Sequence, residues 1–405
     1  MMTLWKKSVE AGNMFKKDFV IQLSIYFVII FNLVFPKGGI KVNDIPITIG
    51  LVSLIFLLLA GGISSVIKFR FLKIKHDRLK ILLSWIPFQI WTIIVINENG
   101  FESLGMVLSL FTNFLLIPWL MIYLNGENFD KNVKIERLLK IIKIGIWILI
   151  IYGLINHVCK IITDSYIEIP FLTVNFDDVG NVYNKNNGRG VFGKLISTYQ
   201  NGNLFGASML LLLPLFCYID KNKLHQLLFK FTLFLTLSRT IWLGLLFYEI
   251  ISIFSGKIYI KKVFNFCIIL SCFVLGIIYA MNLLELDMDF IVDSSMGGRI
   301  GQSSDFIYGF FPSTPFNTIS EIVYKGILDS FGVIGLVCFC IGFFSPLFIY
   351  YKELNNNSLR NSLLLGLLVY YFVCLGDGGI ILIPVMIFYW TVILILSSRI
   401  SLYKL

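Results

Sequence analysis

The sequence predicts an all-α protein threaded through a lipid bilayer by about twelve transmembrane helices, and three observations carry that prediction. The 405-residue chain is 57% hydrophobic. Its mean hydropathy is +0.83. Only 14% of its residues are charged, against about 25% in a typical soluble domain.

The spans follow from apolar windows of roughly 17–25 residues, the length a helix needs to cross the hydrocarbon layer. They fall at 19–35, 46–67, 79–96, 104–123, 139–162, 203–219, 225–238, 239–254, 263–284, 322–350, 361–376 and 379–397. Two of these stretches can be divided in more than one way. Lys230, Ser238 and Arg239 interrupt 225–254, which reads as one long helix or two short ones. The long run 322–350 contains Lys325, Asp329 and Gly332, so its first turns are expected outside the hydrocarbon.

Charge bias decides the first case. The chain carries 34 Lys and Arg and a formal net charge of +10. The cations cluster between spans: Lys6, Lys7, Lys16 and Lys17; Lys68, Arg70, Lys73, Lys75, Arg78 and Lys80; 131–143; Lys257, Lys261 and Lys262. Such runs mark cytoplasmic loops and argue against a nucleic-acid-binding protein. Merging 225–254 would move the later basic residues to the outside, so twelve spans with both termini inside is the better arrangement. The first apolar run lacks a small-residue cleavage pattern and reads as a retained span.

Five spans therefore fill 1–162, a long outer loop occupies 163–202, central spans occupy 203–284, a second long outer loop occupies 285–321, and the last spans fill 322–405. Both loops are rich in Asn, Gly, Ser, Asp and aromatics and far exceed an ordinary connection, which marks them as functional. All seven Cys lie in or beside apolar segments and read as packing residues rather than a disulfide or zinc framework.

Three arginines stand out on an outer face otherwise poor in positive charge. Arg189 lies in Asn186-Asn187-Gly188-Arg189-Gly190-Val191-Phe192, Arg239 in Leu237-Ser238-Arg239-Thr240, and Arg299 in Gly297-Gly298-Arg299-Ile300-Gly301. An arginine in hydrocarbon costs about 2.5–3.5 kcal/mol, so Arg239 needs a partner: an ion pair, or a bound anion. A guanidinium fork matches two phosphate oxygens and keeps its charge, and fixed cations stabilise a pyrophosphate leaving group as a metal would. Glu321, just ahead of an apolar helix, is positioned to act as general base; a first-turn Glu favoured by the helix dipole is the plainer reading. Partial burial would raise its basicity. Lys194, Tyr199, Asn203, Asp293 and Tyr308 are the polar loop residues expected to contact substrate.

Asp287-Met288-Asp289 imitates a metal-binding DxD, but no metal site is assigned, because nucleotide sugars are absent outside the cell. Asp177-Asp178 reads as a solvated loop. His76 and His225 fall on the cytoplasmic side and His157 within a span, so none belongs to the outer loops.

The chain resembles the O-antigen polymerase (Wzy) family, which is related to the O-antigen ligases. Three segments carry the likeness over residues of about 185–340. They are Arg189-Gly190-x-Phe192 followed by Asn203; Leu235-Thr236-Leu237-Ser238-Arg239-Thr240; and Gly298-Arg299 followed by Glu321 and Asp329-Ser330-Phe331-Gly332-Val333-Ile334-Gly335. The resemblance implies a GT-C-like, metal-independent inverting glycosyltransferase of the bacterial inner membrane, with its active site facing the periplasm. It would move a growing glycan from undecaprenyl pyrophosphate to the non-reducing end of a new lipid-linked repeat. No cofactor is implied; partners would be the lipid-linked oligosaccharide, the bilayer and a chain-length regulator. Arg189, Arg239 and Arg299 would hold the pyrophosphates and Glu321 would deprotonate the acceptor hydroxyl.

Ligases place a His-Asn pair about eleven residues before the helix glycine. Here that position, 332 − 11 = 321, is Glu, which favours the polymerase. A ligase and a flippase or other transporter remain the competing readings; a transporter should carry charges near mid-membrane and show inverted-repeat character.

Overall fold

The computed structural model describes residues 19–42, 45–68, 75–124, 129–130, 133–181, 187–189, 192–254, 309–312, 316, 319–355 and 358–398. The described chain is predominantly helical. Helix α1 (Phe19–Val34) leads into a hairpin of β1 (Gly39–Val42) and β2 (Ile45–Thr48), then α2 (Ile49–Lys68), α3 (His76–Asn99) and α4 (Leu104–Phe111). α5 (Ile135–Thr163) precedes the first long loop, which holds the small hairpin β3 (Gly188–Arg189) and β4 (Phe192–Gly193). Then follow α6 (Gly202–Ile219), α7 (Lys223–Phe234), α8 (Arg239–Phe254), α9 (Val323–Tyr350), α10 (Leu359–Val373) and α11 (Ile383–Leu396).

Among the described residues, five stretches are long and apolar enough to cross a membrane: His76–Asn99, Leu104–Ile122, Ile135–Thr163, Gly202–Ile219 and Val323–Leu354; α1, α2, α10 and α11 include shorter apolar helices. The stretch 225–254 is two helices, as charge bias requires. Leu237 adopts a left-handed φ of 50° between them, Phe234 stacks on Trp242, and Lys230 pairs with Glu249 across the fold. The expected span 263–284 lies outside the described residues.

Two classes of helix emerge, and their difference positions the site. α6, α10 and α11 are buried on nearly every face; in α11 everything from Pro384 to Leu396 is inside. A helix that is apolar all round and enclosed forms the centre of a bundle. α3, α5 and α9 instead keep one exposed apolar stripe. On α5 it runs Ile144, Ile148, Ile151, Ile155 and Val158, the spacing of a single face, which suits lipid. Two of the enclosed helices are also short. At 1.5 Å per residue α10 and α11 reach about 21–22 Å, whereas α5 and α9 reach about 42–43 Å.

Close approach and polar satisfaction hold this core. A Cβ at Gly366 of α10 would overlap the Leu211 carbonyl oxygen of α6, so glycine brings the two backbones together. Trp85 of α3 sits among Phe88, Phe114, Phe339, Phe343, Tyr389 and Trp390. α4 widens into a π turn at Thr112–Leu116, and side chains take up the carbonyl groups there and nearby. Gln89 Nε2 donates to Phe114 O at 2.8 Å, and Asn113 Nδ2 donates to Ile380 O and Ile381 O at 3.1 and 2.6 Å.

The two ends of the bundle differ. At one, the basic end, charges are paired: Arg78 and Lys75 with Asp130, Lys143 and His225 with Asp220, Arg360 with Glu353. At the other, the loop end, lie the two hairpins and the first long loop. The hairpins are short additions to a predominantly helical fold. In a largely exposed loop, as expected, Asp177 and Asp178 also have a structural task. Asp177 Oδ2 accepts from the Lys41 amide at 2.9 Å, and Asp178 pairs with Lys41 Nζ at 2.6 Å, which pins β1 to the loop.

Candidate functional site

A glycine-rich turn organises the loop end. Between α10 and α11 the chain runs Leu375-Gly376-Asp377-Gly378-Gly379. Gly376 N and Asp377 N donate to Val373 O at 2.9 and 2.8 Å, closing α10. With so few Cβ atoms, other elements approach closely. Thr240 packs on Gly376, Val323 on Gly378 and Leu204 on Gly379. These contacts are made by the first turns of α8, α9 and α6, and α11 starts a few residues beyond the turn.

Four helix N-termini therefore converge on one turn. Each brings roughly half a positive charge, so together they form an anion-attracting floor. Arg239 is the first residue of α8, next to Thr240 on Gly376, and the side chain of Asp377 is buried in the same turn.

Hydrogen bonds fix the surrounding residues. Asn201 caps α6, its side chain accepting from the amides of Asn203 and Leu204 at 2.8 and 3.3 Å. The Leu195 amide donates to Leu235 O at 2.9 Å, tying the long loop to the α7–α8 turn. Val323 N donates to Cys374 O at 3.2 Å, Gly378 N to Glu321 O at 3.3 Å, and Tyr370 Oη to Gly378 O at 2.7 Å.

Arg239 and Glu321 are thus brought to the same turn from positions 82 residues apart (321 − 239). The Glu321 side chain is exposed. The Arg189 backbone pairs with Phe192, and its hairpin is moored near α6, because Asn187 Nδ2 donates to Gln200 O at 3.0 Å. Asn203 is half-buried in the first turn of α6, and Lys194 is half-buried beside Gly202. Arg299, Asp293 and Tyr308, with the Asp287-Met288-Asp289 motif, lie outside the described residues.

Tyr199 requires a correction. It is 0% exposed, and its hydroxyl donates to Leu33 O at 3.2 Å. Burial pushes its phenol well above the ordinary value. It fastens the loop to α1 instead of meeting a ligand.

Asp377, which the sequence reading passed over, is 2% exposed at the centre of the turn. Its signal was available: it is the single acidic residue after Glu353, set between glycines and two apolar runs. Among the described residues no group of His, Cys, Asp and Glu could hold a metal ion. Comparison with protein-family models, curated proteins and solved structures gave no match to this chain.

Proposed function

We propose that this chain polymerises lipid-linked oligosaccharide repeat units, as its resemblance to the O-antigen polymerases implies, at a site on the outer side of the bacterial inner membrane. The observation that carries the reading is the convergence of four helix N-termini and Arg239 on the Gly376–Gly379 turn. Such a floor suits a dianionic pyrophosphate better than a neutral sugar.

In the reaction, the acceptor hydroxyl attacks the anomeric carbon of the growing glycan as the bond from that carbon to the pyrophosphate oxygen breaks. Undecaprenyl pyrophosphate departs with the electron pair. Glu321 takes the hydroxyl proton. Arg239, with Arg189 and Arg299, stabilises the charge accumulating on the leaving group, a role that fixed cations fill without reorganisation. Twelve spans, a GT-C-like architecture, metal independence and cytoplasmic termini belong to the same proposal.

The transporter alternative gains no support from the enclosed helices. α6 and α11 carry no Asp, Glu, Lys or Arg, and the one charge of α10, Arg360, lies in its first turn. A pathway through the core would require polar groups near mid-membrane.

Purified protein supplied with lipid-linked repeat units tests the reading. Wild type should give a ladder of polymer and released lipid pyrophosphate, with or without a chelator, and Arg239→Ala should give single repeats while still inserting in the membrane. Normal ladders from Arg239→Ala would exclude the pyrophosphate role. A strict Mg²⁺ or Mn²⁺ requirement would revive the Asp287/Asp289 site.

A further inference from the structure

A second polar site lies at the basic end, remote from the glycine-rich turn. Where the start of α3, the end of α9, the start of α10 and the end of α11 meet, they enclose a cavity of about 400 Å³. Lys75, Lys352 and Arg360 line it, with Asp77 and Glu353 as the carboxylates among its described walls; with Asp130, which Lys75 shares with Arg78, the described cations of the cluster exceed its carboxylates by one, four against three. Glu353 accepts from Arg360 Nη1 at 2.9 Å, and Ser398 O accepts from Nη2 at 3.3 Å. Arg360 Nε is buried and makes no hydrogen bond to any described residue. A buried guanidinium N–H without an acceptor is costly.

An apolar track leads away from the cavity. Tyr350 of α9 donates to Asp77 of α3 at 3.4 Å, which sets the cavity at the level of both helix ends. Leu79 and Leu83 on α3, and Phe348 and Ile341 on α9, are exposed in the turns running from that level toward the bundle centre. Tyr351, exposed beside Phe348, is a residue type favoured at the membrane–water boundary.

From this juxtaposition we infer that the basic-end cavity binds an anionic phospholipid, its phosphodiester among Lys75, Lys352 and Arg360 and its acyl chains along the Leu79–Leu83 and Ile341–Phe348 faces. A charged recess continued by an apolar track fits an amphiphile and gives free phosphate only half of the contacts. A headgroup with its own ammonium would oppose the surplus cation. Phosphatidylglycerol is the simplest lipid that meets both conditions.

The probe is the full-length protein in nanodiscs of equimolar phosphatidylglycerol and phosphatidylcholine, with retained lipid identified by native mass spectrometry. Wild type should retain phosphatidylglycerol selectively. The double variant K352Q/R360Q should lose roughly thirtyfold in that selectivity, at about fivefold per removed cation. K352Q alone, at an exposed side chain, should lose about fivefold without disturbing the fold. E353Q, which removes a carboxylate from the wall, should retain at least as much as wild type. Equal retention of the two lipids by wild type, or unchanged selectivity in both Lys352 variants, would overturn the assignment. Complete displacement of the lipid by millimolar inorganic phosphate would also overturn it, because the site would then belong to a free anion.

Discussion

The amide of Gly378 donates to the carbonyl of Glu321 at 3.3 Å, and the carbonyl of the same glycine accepts from Tyr370 Oη at 2.7 Å. This pair fastens the approach to α9 to the turn between α10 and α11. The backbone that carries the proposed base is therefore tied to the turn gathering four helix N-termini, while the Glu321 side chain itself is exposed. Because Gly378 holds the backbone of Glu321 and not its side chain, the chemistry of that side chain can be changed without loosening the joint.

Glu321→Gln should separate catalysis from stability. Loss of a positioned general base lowers turnover by about 10²–10⁴-fold. Thermal unfolding in detergent should match wild type, because the substitution keeps the backbone bond and an exposed side chain of equal size. Polymer formation at the wild-type rate would remove Glu321 from the mechanism.

Gly332→Ala probes how the 309–312 segment is seated. Gly332 interrupts α9 with φ 69° and ψ −176°, and a Cβ there would collide with the Phe310 carbonyl oxygen. The Val333 amide donates to Gly309 O at 3.2 Å, and Trp91 Nε1 to Phe331 O at 2.8 Å. Together these bonds dock the end of the second loop on the kink. Alanine should cost about 1–3 kcal/mol and expose 309–312 to limited proteolysis. An unchanged melting temperature with an unchanged digest would show that the kink is tolerant.

Asp220 gives a pH signature at the basic end. Burial alone would raise its carboxyl, but hydrogen bonds from Lys143, His225 and the Asn222 amide outweigh that and hold it below its ordinary value of 3.8. A carboxyl depressed in the folded state contributes stability that is present above the unfolded value and lost as pH falls through the folded one. The difference in melting temperature between wild type and Asp220→Asn should be widest above pH 5 or so and close as pH falls below 3.8. A gap independent of pH would mean that the buried pair with Lys143 adds nothing through its charge.

Composition, hydropathy windows and the placement of Lys and Arg marked this as a helical, membrane-embedded chain, located most of its described helices, and divided 225–254 into two. These properties are local or additive: transfer into hydrocarbon depends on about twenty consecutive residues, and the charge rule on loops beside them. Windows could also single out Arg239 and Glu321, because a charge at the edge of an apolar run is visible in one dimension. Only the tertiary structure decided that α6, α10 and α11 form the enclosed centre while α3, α5 and α9 face outward, since an apolar helix reads the same whether lipid or protein surrounds it. It alone withdrew Tyr199 from the site and brought Asp377 into it. Both outcomes depend on contacts between segments distant in sequence, where small residues let backbones meet and polar groups must find partners.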